Sequence, residues 1–410
     1  MTVAPPQPDL RDPEAVVDVL LHGQPLARDD VFELYAAVRR EAPLFRSEHG
    51  MWVISRFQDV HRALRFAGAS TGATSRSDPR YATSPTLQTF AESMLHFDEP
   101  ADHARQRRLV RQAFTQQTVQ GLRPFVEGLV GQLLDECAER GEFDAIADYA
   151  DRIPVAVICH MLGVPAADVE VFHEWNFAIT STSAASVPPE RMAAADAAML
   201  KLRAYITDLL DARRSTPSDD LLSKLITARD EDDQLSDSET IALAVLLLAA
   251  GSDTTTAFLG AALAALYEHP DQLALLRAEP ARIRGSVEEL MRYAAPVHFG
   301  ITRLTRAPLQ LGGVEIPAGE RLWTLLAGAN RDPDEFERPE QLDLTREHVR
   351  HLGFAQGMHM CLGAMLARME TGTALEGLLL RFPRLQLRES STPWYDHGNL
   401  RGVRRLAVAG

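Results

Sequence analysis

The stretch GFAQGMHMCLG, Gly353–Gly363, runs straight into the apolar AMLARMETGTALEGLLL and carries more information about fold than any other part of the chain. It places a single cysteine, Cys361, in a glycine-broken loop just before a predicted helix. A thiolate is a strong, soft ligand for iron. A cysteine bound to a metal is deprotonated by the metal's charge. In an apolar interior it also needs donors, which the backbone N–H groups of a tight loop supply. The helix that follows adds the positive end of its dipole. Gly357 and Gly363 permit a tight backbone and close approach of a flat cofactor, and Phe354 can screen the thiolate from water. The plain alternative is a buried structural cysteine. Zinc fits less well, since His359 and Cys361 are two ligands without a CxxC or HxxxH partner nearby.

The totals narrow the field. The chain has 410 residues, 46% hydrophobic and 24% charged, an ordinary globular composition long enough for a large core. Its net charge of -15, from 42 basic and 57 acidic residues, argues against nucleic acid and anionic membrane as general partners. Three cysteines, Cys137, Cys159 and Cys361, make no disulfide framework, so a reducing cytoplasm is expected. Cys137 and Cys159 lie in helical patterns and read as small apolar core groups. The first residues have neither a basic start nor an apolar run, so no secretory signal is expected.

Ile241–Tyr267 is long and apolar enough to suggest a membrane span. Ser252, Asp253 and three threonines at its middle read instead as a buried central helix, with a capping box at Ser236–Glu239. Elsewhere, residues 43–56 predict a hairpin around Glu48-His49-Gly50, and residues 57–66 a helix. Gly68–Ser93 is polar and aperiodic and reads as a long binding loop or lid. Ala101–Tyr267 is mostly helical, with breaks near Gly141, Pro154, Pro165 and Pro188-Pro189. Residues 309–326 are strand-rich, and a last helix follows the cysteine loop. The expected architecture is mainly α with small β-sheets, a single domain over 30–410 behind an N-terminal extension over 1–29.

In order and spacing, Phe354, Gly357, His359, Cys361 and Gly363 resemble the cysteine-ligand loop of the cytochrome P-450 haem-thiolate monooxygenases, soluble bacterial type. The resemblance extends from about residue 30 to the C-terminus. One departure is Ala355, where bacterial members often carry glycine. The CxxCH of covalently attached haem is absent. The resemblance implies haem b with Cys361 as axial thiolate, held between the central long helix and the cysteine-loop helix.

Three further motifs carry the same resemblance. In AAGSDTTT, Ala249–Thr256, Gly251 weakens the helix, and Thr254 can bond back to the carbonyl of Ala250 and open the ladder. Asp253 beside Thr254 puts an acid and an alcohol in series, a proton relay, with a kink or cap as the alternative. By resemblance Thr254 holds dioxygen and a water, Asp253 feeds protons, and Ala250 and Gly251 lie against the cofactor. Glu289 and Arg292 share a helix face. By resemblance they form a buried structural pair, with Arg331 or Arg338 as third partner. The resemblance also implies His103, Arg107, Arg303 and His359 as partners of the haem propionates, with Arg306 the competitor for Arg303. Arg105, Arg108 and Arg111 could form a docking patch for an acidic electron donor.

The activity implied is insertion of one oxygen atom from O2 into a C–H bond, by hydroxylation or epoxidation, with electrons from a ferredoxin and ferredoxin reductase. Two other readings stand beside it: an oxidative coupling or ring-forming haem-thiolate enzyme, and a non-catalytic haem protein that binds a ligand. Asp253-Thr254 argues against the second, since a sensor needs no proton delivery. The pocket is expected from the Gly68–Ser93 loop, Glu174–Met192, Val245 to Ala249, Val297, His298 and Phe299, and the tail turn with Trp394, Tyr395 and His397. These residues are mostly small or apolar with no obvious pocket cation. They point to a bulky, mostly apolar natural product such as a polyketide or macrolide precursor.

Overall fold

The computed structural model describes residues 12–22, 28–71, 82–91, 100–182, 187–228, 233–388, 392–397 and 399–409. The expected hairpin is present: strands β1 (Leu44–Arg46) and β2 (Met51–Ile54) pair antiparallel, with Leu44 opposite Ile54 and Arg46 opposite Trp52. They follow α1 (Arg28–Glu41) and lead into α2 (Phe57–Arg65), which buries Phe57, Val60, Ala63 and Leu64 along one face. The hairpin joins a five-stranded sheet with β3 (Ala69–Ser70), β4 (Arg303–Thr305) and β5 (Arg321–Thr324), in the order β1-β2-β5-β4-β3. Only the β2–β5 pair is parallel. The segment 13–22, expected as an extension, is helical and packs Val17 and Val19 with Phe32 and Tyr35 of α1.

The stretch Gly68–Ser93 is not a loop throughout. It contains β3 and a short helix, α3 (Pro85–Ala91). Ser84 precedes Pro85, a favoured first helical residue. The second anchor is distant: Asp196 accepts hydrogen bonds from the Ser84 hydroxyl at 2.7 Å and the Thr86 N–H at 3.1 Å. Residues 72–81 and 92–93 of that stretch lie outside the described residues.

The helical body begins with α4 (Pro100–Ala113) and α5 (Arg123–Arg140). A π-helical turn, Ala145–Ala150, then leads through Asp151 into α6 (Arg152–Leu162), so Pro154 sits in a first helical turn rather than at a break. Next come α7 (Val169–Thr180) and α8 (Pro189–Ser215), packed on each other.

The axis of the molecule is α9 (Asp237–Glu268). Ser236 and Glu239 form the reciprocal capping box at its start, and Pro270 disfavours helical geometry at His269, where the helix ends. It is long and apolar enough to cross a membrane by composition, yet its most apolar window is largely buried within the protein. It packs against α6, α8, α10 (Val287–Ala294) and α11 (Ala364–Arg381). Each Leu, Val or Phe it withdraws from water contributes about 1.5–3 kcal/mol. The C-terminal pair β6 (Trp394–His397) and β7 (Leu400–Val403) closes over it.

Candidate functional site

Two openings in this packing define the site. On α9, Leu243 to Leu248 and Thr255 to Leu266 are buried, whereas Ala249, Ala250, Gly251, Asp253 and Thr254 show surface in between. The open face therefore coincides with the AAGSDTTT motif. The other opening is the cysteine loop, where Cys361 is exposed and Phe354, His359 and Gly363 are partly so.

The loop is shaped by its own backbone. Cys361 N–H donates to the Phe354 carbonyl at 2.9 Å and Met360 N–H to Gly357 at 3.1 Å. Gly357 has φ 75°, and a Cβ there would sit 2.5 Å from the Leu64 carbonyl oxygen at the end of α2. Its backbone conformation and the close approach of α2 both require glycine there. A Cβ on Gly363 would meet nothing within 4 Å, so the backbone beside Cys361 is open there. Ala355, the departure from glycine, has φ 54°; a left-handed non-glycine residue costs roughly 1–2 kcal/mol.

Cys361 is surrounded by protein although its surface is reachable. Burial pushes its thiol up, while a hydrogen bond from the Gly363 N–H and the charges of Arg107 and Arg368 favour the thiolate. The Arg368 guanidinium lies 4.3 Å from the centre of the Phe354 ring, and the His351 ring lies 5.5 Å from it. Arg368 also grips Glu288 of α10 together with His351. Against the opposing effect of burial, these two partners bring the Glu288 carboxyl down to about 2. Glu288, His351 and Arg368 were not expected from the sequence; only their shared neighbourhood in the fold reveals them.

His103, Arg107, Arg303 and His359 meet beside this loop. The rings of His103 and His359 lie 4.2 Å apart. Arg107 donates to the Met360 carbonyl at 2.5 Å and Arg303 to the Leu64 carbonyl at 2.8 Å. Arg303 is 4% exposed, burial alone pushes it down to about 10, and no carboxylate pairs with it among the described residues. Burial and then the charges of Arg107 and Arg303 lower His103 to about 4. Its Nδ1 is buried without a hydrogen-bond partner among the described residues. Arg306, the competitor, instead donates to the Ser70 hydroxyl. Arg105 is committed to Asp233 and Glu239, which removes it from the expected docking patch.

On α9, the Thr254 hydroxyl donates to the Ala250 carbonyl at 2.6 Å, yet the helix stays α-helical throughout, so the ladder is not opened. A Cβ on Gly251 would lie 3.2 Å from Ile158 of α6, so this glycine serves helix packing. Asp253 turns toward α7: Asn176 Nδ2 donates to its Oδ1 at 3.0 Å, and Thr180 is a second hydrogen-bonding neighbour. Burial, with the nearby Asp151 carboxylate, raises Asp253 to about 6 against the hydrogen bonds from Thr180 and Asn176.

Glu289 and Arg292 form a bidentate pair at 2.7 and 2.8 Å, both buried. Arg292 also donates to the carbonyls of Asn330, Pro339 and Gln341, pinning the turn-rich segment that precedes the cysteine loop. The third partner is Arg346, 3.2 Å from Glu289. Arg331 pairs with Glu340, and Arg338 pairs with Asp343.

The expected pocket residues divide. Ala249 is on the open face, and Trp394 and Tyr395 are half-buried on β6. Val245 is packed into the core. Phe299 stacks on Trp323 at 4.7 Å, and His298 bonds the Tyr35 hydroxyl at 2.7 Å. Both lie in the core around α1 rather than at a pocket, because partners far away in sequence claim them. Val297 is half-buried beside the α2 core and bridges to Leu400. The His397 side chain lies outside the described residues, and so do residues 183–186 of the expected lid.

Known proteins share this architecture. The family model described as Cytochrome P450 matches residues 42–404. Cytochrome P450 107B1 of Saccharopolyspora erythraea is 38% identical over 400 residues, 93% of this chain and 97% of that protein. Mycinamicin IV hydroxylase/epoxidase of Micromonospora griseorubida is 37% identical over 395 residues, 95% of this chain and 96% of that protein. Among solved structures, P450BioI in complex with hexadec-9Z-enoic acid ligated acyl carrier protein superposes with a TM-score of 0.86. It is 28% identical, over 94% of this chain and all of that one.

Proposed function

The chain belongs to the cytochrome P450 family, and from that premise we propose that it oxidises a bulky, mostly apolar small molecule of the polyketide or macrolide kind. The family is one of haem b monooxygenases with a cysteine thiolate ligand, using O2, a small-molecule substrate and redox partners. When bound, the haem supplies activation of dioxygen, one atom going to the substrate by hydroxylation or epoxidation and the other to water. In our reading Cys361 is the ligand, and a ferredoxin with its reductase delivers the electrons in the cytoplasm.

The side chains present fit a haem. Cys361 faces open space with the Gly363 N–H on its sulfur. The observation that carries the reading lies next to it: Arg303 is a buried cation that pairs with no carboxylate among the described residues, and both it and Arg107 lie near His103, whose buried Nδ1 has no hydrogen-bond partner among the described residues. Burying an uncompensated charge is costly, and a propionate would supply the missing anion. His359 stands against His103 at the same place.

In this reading the chain's own groups on α9 handle protons. The Thr254 hydroxyl, released from the Ala250 carbonyl, can donate into the open face of α9. Asp253, raised to about 6, is mostly ionised at neutral pH but takes up a proton far more readily than an ordinary carboxylate, so it can both gain and give one. The substrate class is supported by the mycinamicin-oxidising relative and by the small residues at the open face of α9.

The test is a visible-spectrum titration of the purified ferric protein with macrolide aglycones and fatty acids. A low-spin to high-spin shift with the macrolides and not the fatty acids is expected. A shift confined to fatty acids would overturn the substrate class.

A further inference from the structure

Between α7, α9 and the π turn before α6 lies a cluster of polar groups around Asp253, most of which the site chemistry has not used. His173 Nε2 bonds Asp151 Oδ2 at 2.7 Å, and Asp151 Oδ1 accepts from the Thr256 hydroxyl at 3.3 Å. Thr256 is three residues beyond Asp253 on α9, and Asn176 returns from α7 to Asp253. His173, Asn176 and Thr180 are spaced to share one face of α7. The side chains of His173 and Asp151 are 30% and 35% exposed, while Asn176 is 3% exposed. Polar groups thus run from solvent to the buried acid. Asn176 gives its amide nitrogen to Asp253, leaving its buried Oδ1 without a partner among the described residues. That is a ready acceptor for a bridging water.

We propose that His173, held by Asp151, is the port through which Asp253 regains protons from solvent. The proposal rests on the reading of Asp253 as proton donor at the site. In each transfer the His173 imidazolium loses one proton, the Asp253 carboxylate gains one through a water on Asn176 Oδ1, and His173 recovers one from bulk water. The surroundings suit the role. The hydrogen bond to Asp151 comes first among the influences that raise His173, followed by burial against it and by the charges of Asp151, Glu170 and Asp253. Asp253 faces Asp151, His173, Asn176 and Thr180. Tyr395 of β6 also lies near both carboxylates, with Arg404 beside it. Burial and then those two charges push its phenol up, so it stays neutral and does not compete. The π turn, a feature frequent at functional sites, delivers Asp151 to this position.

The first measurement is NMR titration of His173 in the full-length, haem-loaded, carbon monoxide-bound ferrous protein, alone and as Asp253→Asn. His173 is expected to titrate above the ordinary histidine range and to move down when the Asp253 charge is removed. The second uses dioxygen as the probe: its consumption without added organic substrate, driven by an added ferredoxin and reductase, as a function of pH. Consumption by the unaltered protein is expected to fall as pH rises through the His173 pKa. His173→Gln is expected to slow it roughly tenfold and to abolish that pH dependence. A His173 indifferent to Asp253→Asn, or a His173→Gln profile matching the unaltered protein, would overturn the proposal. If the unaltered protein shows no thiolate–carbon monoxide band, the underlying site assignment has failed instead.

Discussion

Asn176 donates to Asp253 at 3.0 Å, so the acid of the AAGSDTTT motif is held toward α7 while its neighbour Thr254 is bonded to the Ala250 carbonyl. The two residues are therefore in separate hydrogen bonds, and in the proposed relay the Thr254 hydroxyl must leave the Ala250 carbonyl before it can donate elsewhere. Their neighbours set the proton affinity and the mobility of the pair.

Asp253→Asn should slow turnover and stabilise the fold. The folded carboxyl stands at about 6 against 3.8 for a free one, because burial disfavours its charge. The folded state then binds more protons than the unfolded state between these values. Stability falls as pH rises through this window, and the loss stays constant above it. At most roughly 3 kcal/mol is recovered by the neutral amide. Thermal melts at pH 8 should show a higher Tm for the variant, with the advantage shrinking toward pH 4.

Thr254→Ala should leave haem and substrate binding intact and divert reducing equivalents into peroxide. A relay contribution of about 10²-fold corresponds to roughly 2.7 kcal/mol of barrier. Peroxide released per NADH consumed reads this out, and it should rise.

Arg303→Gln should act oppositely on the two forms of the protein. Without haem it removes a buried cation that no carboxylate balances among the described residues, so the apoprotein should melt higher. With haem it removes a propionate partner, so transfer of haem to apomyoglobin should be faster.

Arg292→Ala should abolish the fold around the cysteine loop. It leaves Glu289 buried with only Arg346 and the Asp343 N–H, and it frees three carbonyls. Breaking one side of a buried pair costs about 3–5 kcal/mol. Denaturant unfolding of the soluble fraction, with its haem content, measures the loss.

What the sequence disclosed was local. The hairpin, the capping box at Ser236 and Glu239, and the loop before α11 are written in contiguous residues whose pattern has one physical reading. What it withheld was pairing across the chain. His298 is taken by Tyr35, 263 residues away. Arg346 reaches Glu289 from a turn-rich stretch without a period, where the resemblance pointed to Arg331 or Arg338. Helix α3 hides in a polar run because Asp196, far along the chain, completes its anchoring. Asp151, His173, Asn176 and Thr180 carry no motif, and only the packing of α7 against α9 brings them to Asp253.

The central claim is that Cys361 holds haem iron as a thiolate. The most direct measurement is the carbon monoxide difference spectrum of the reduced protein, unaltered and as Cys361→Ser. The unaltered protein is predicted to give the thiolate band and the variant to lose it together with nearly all turnover. A variant that keeps the thiolate band would contradict the assignment.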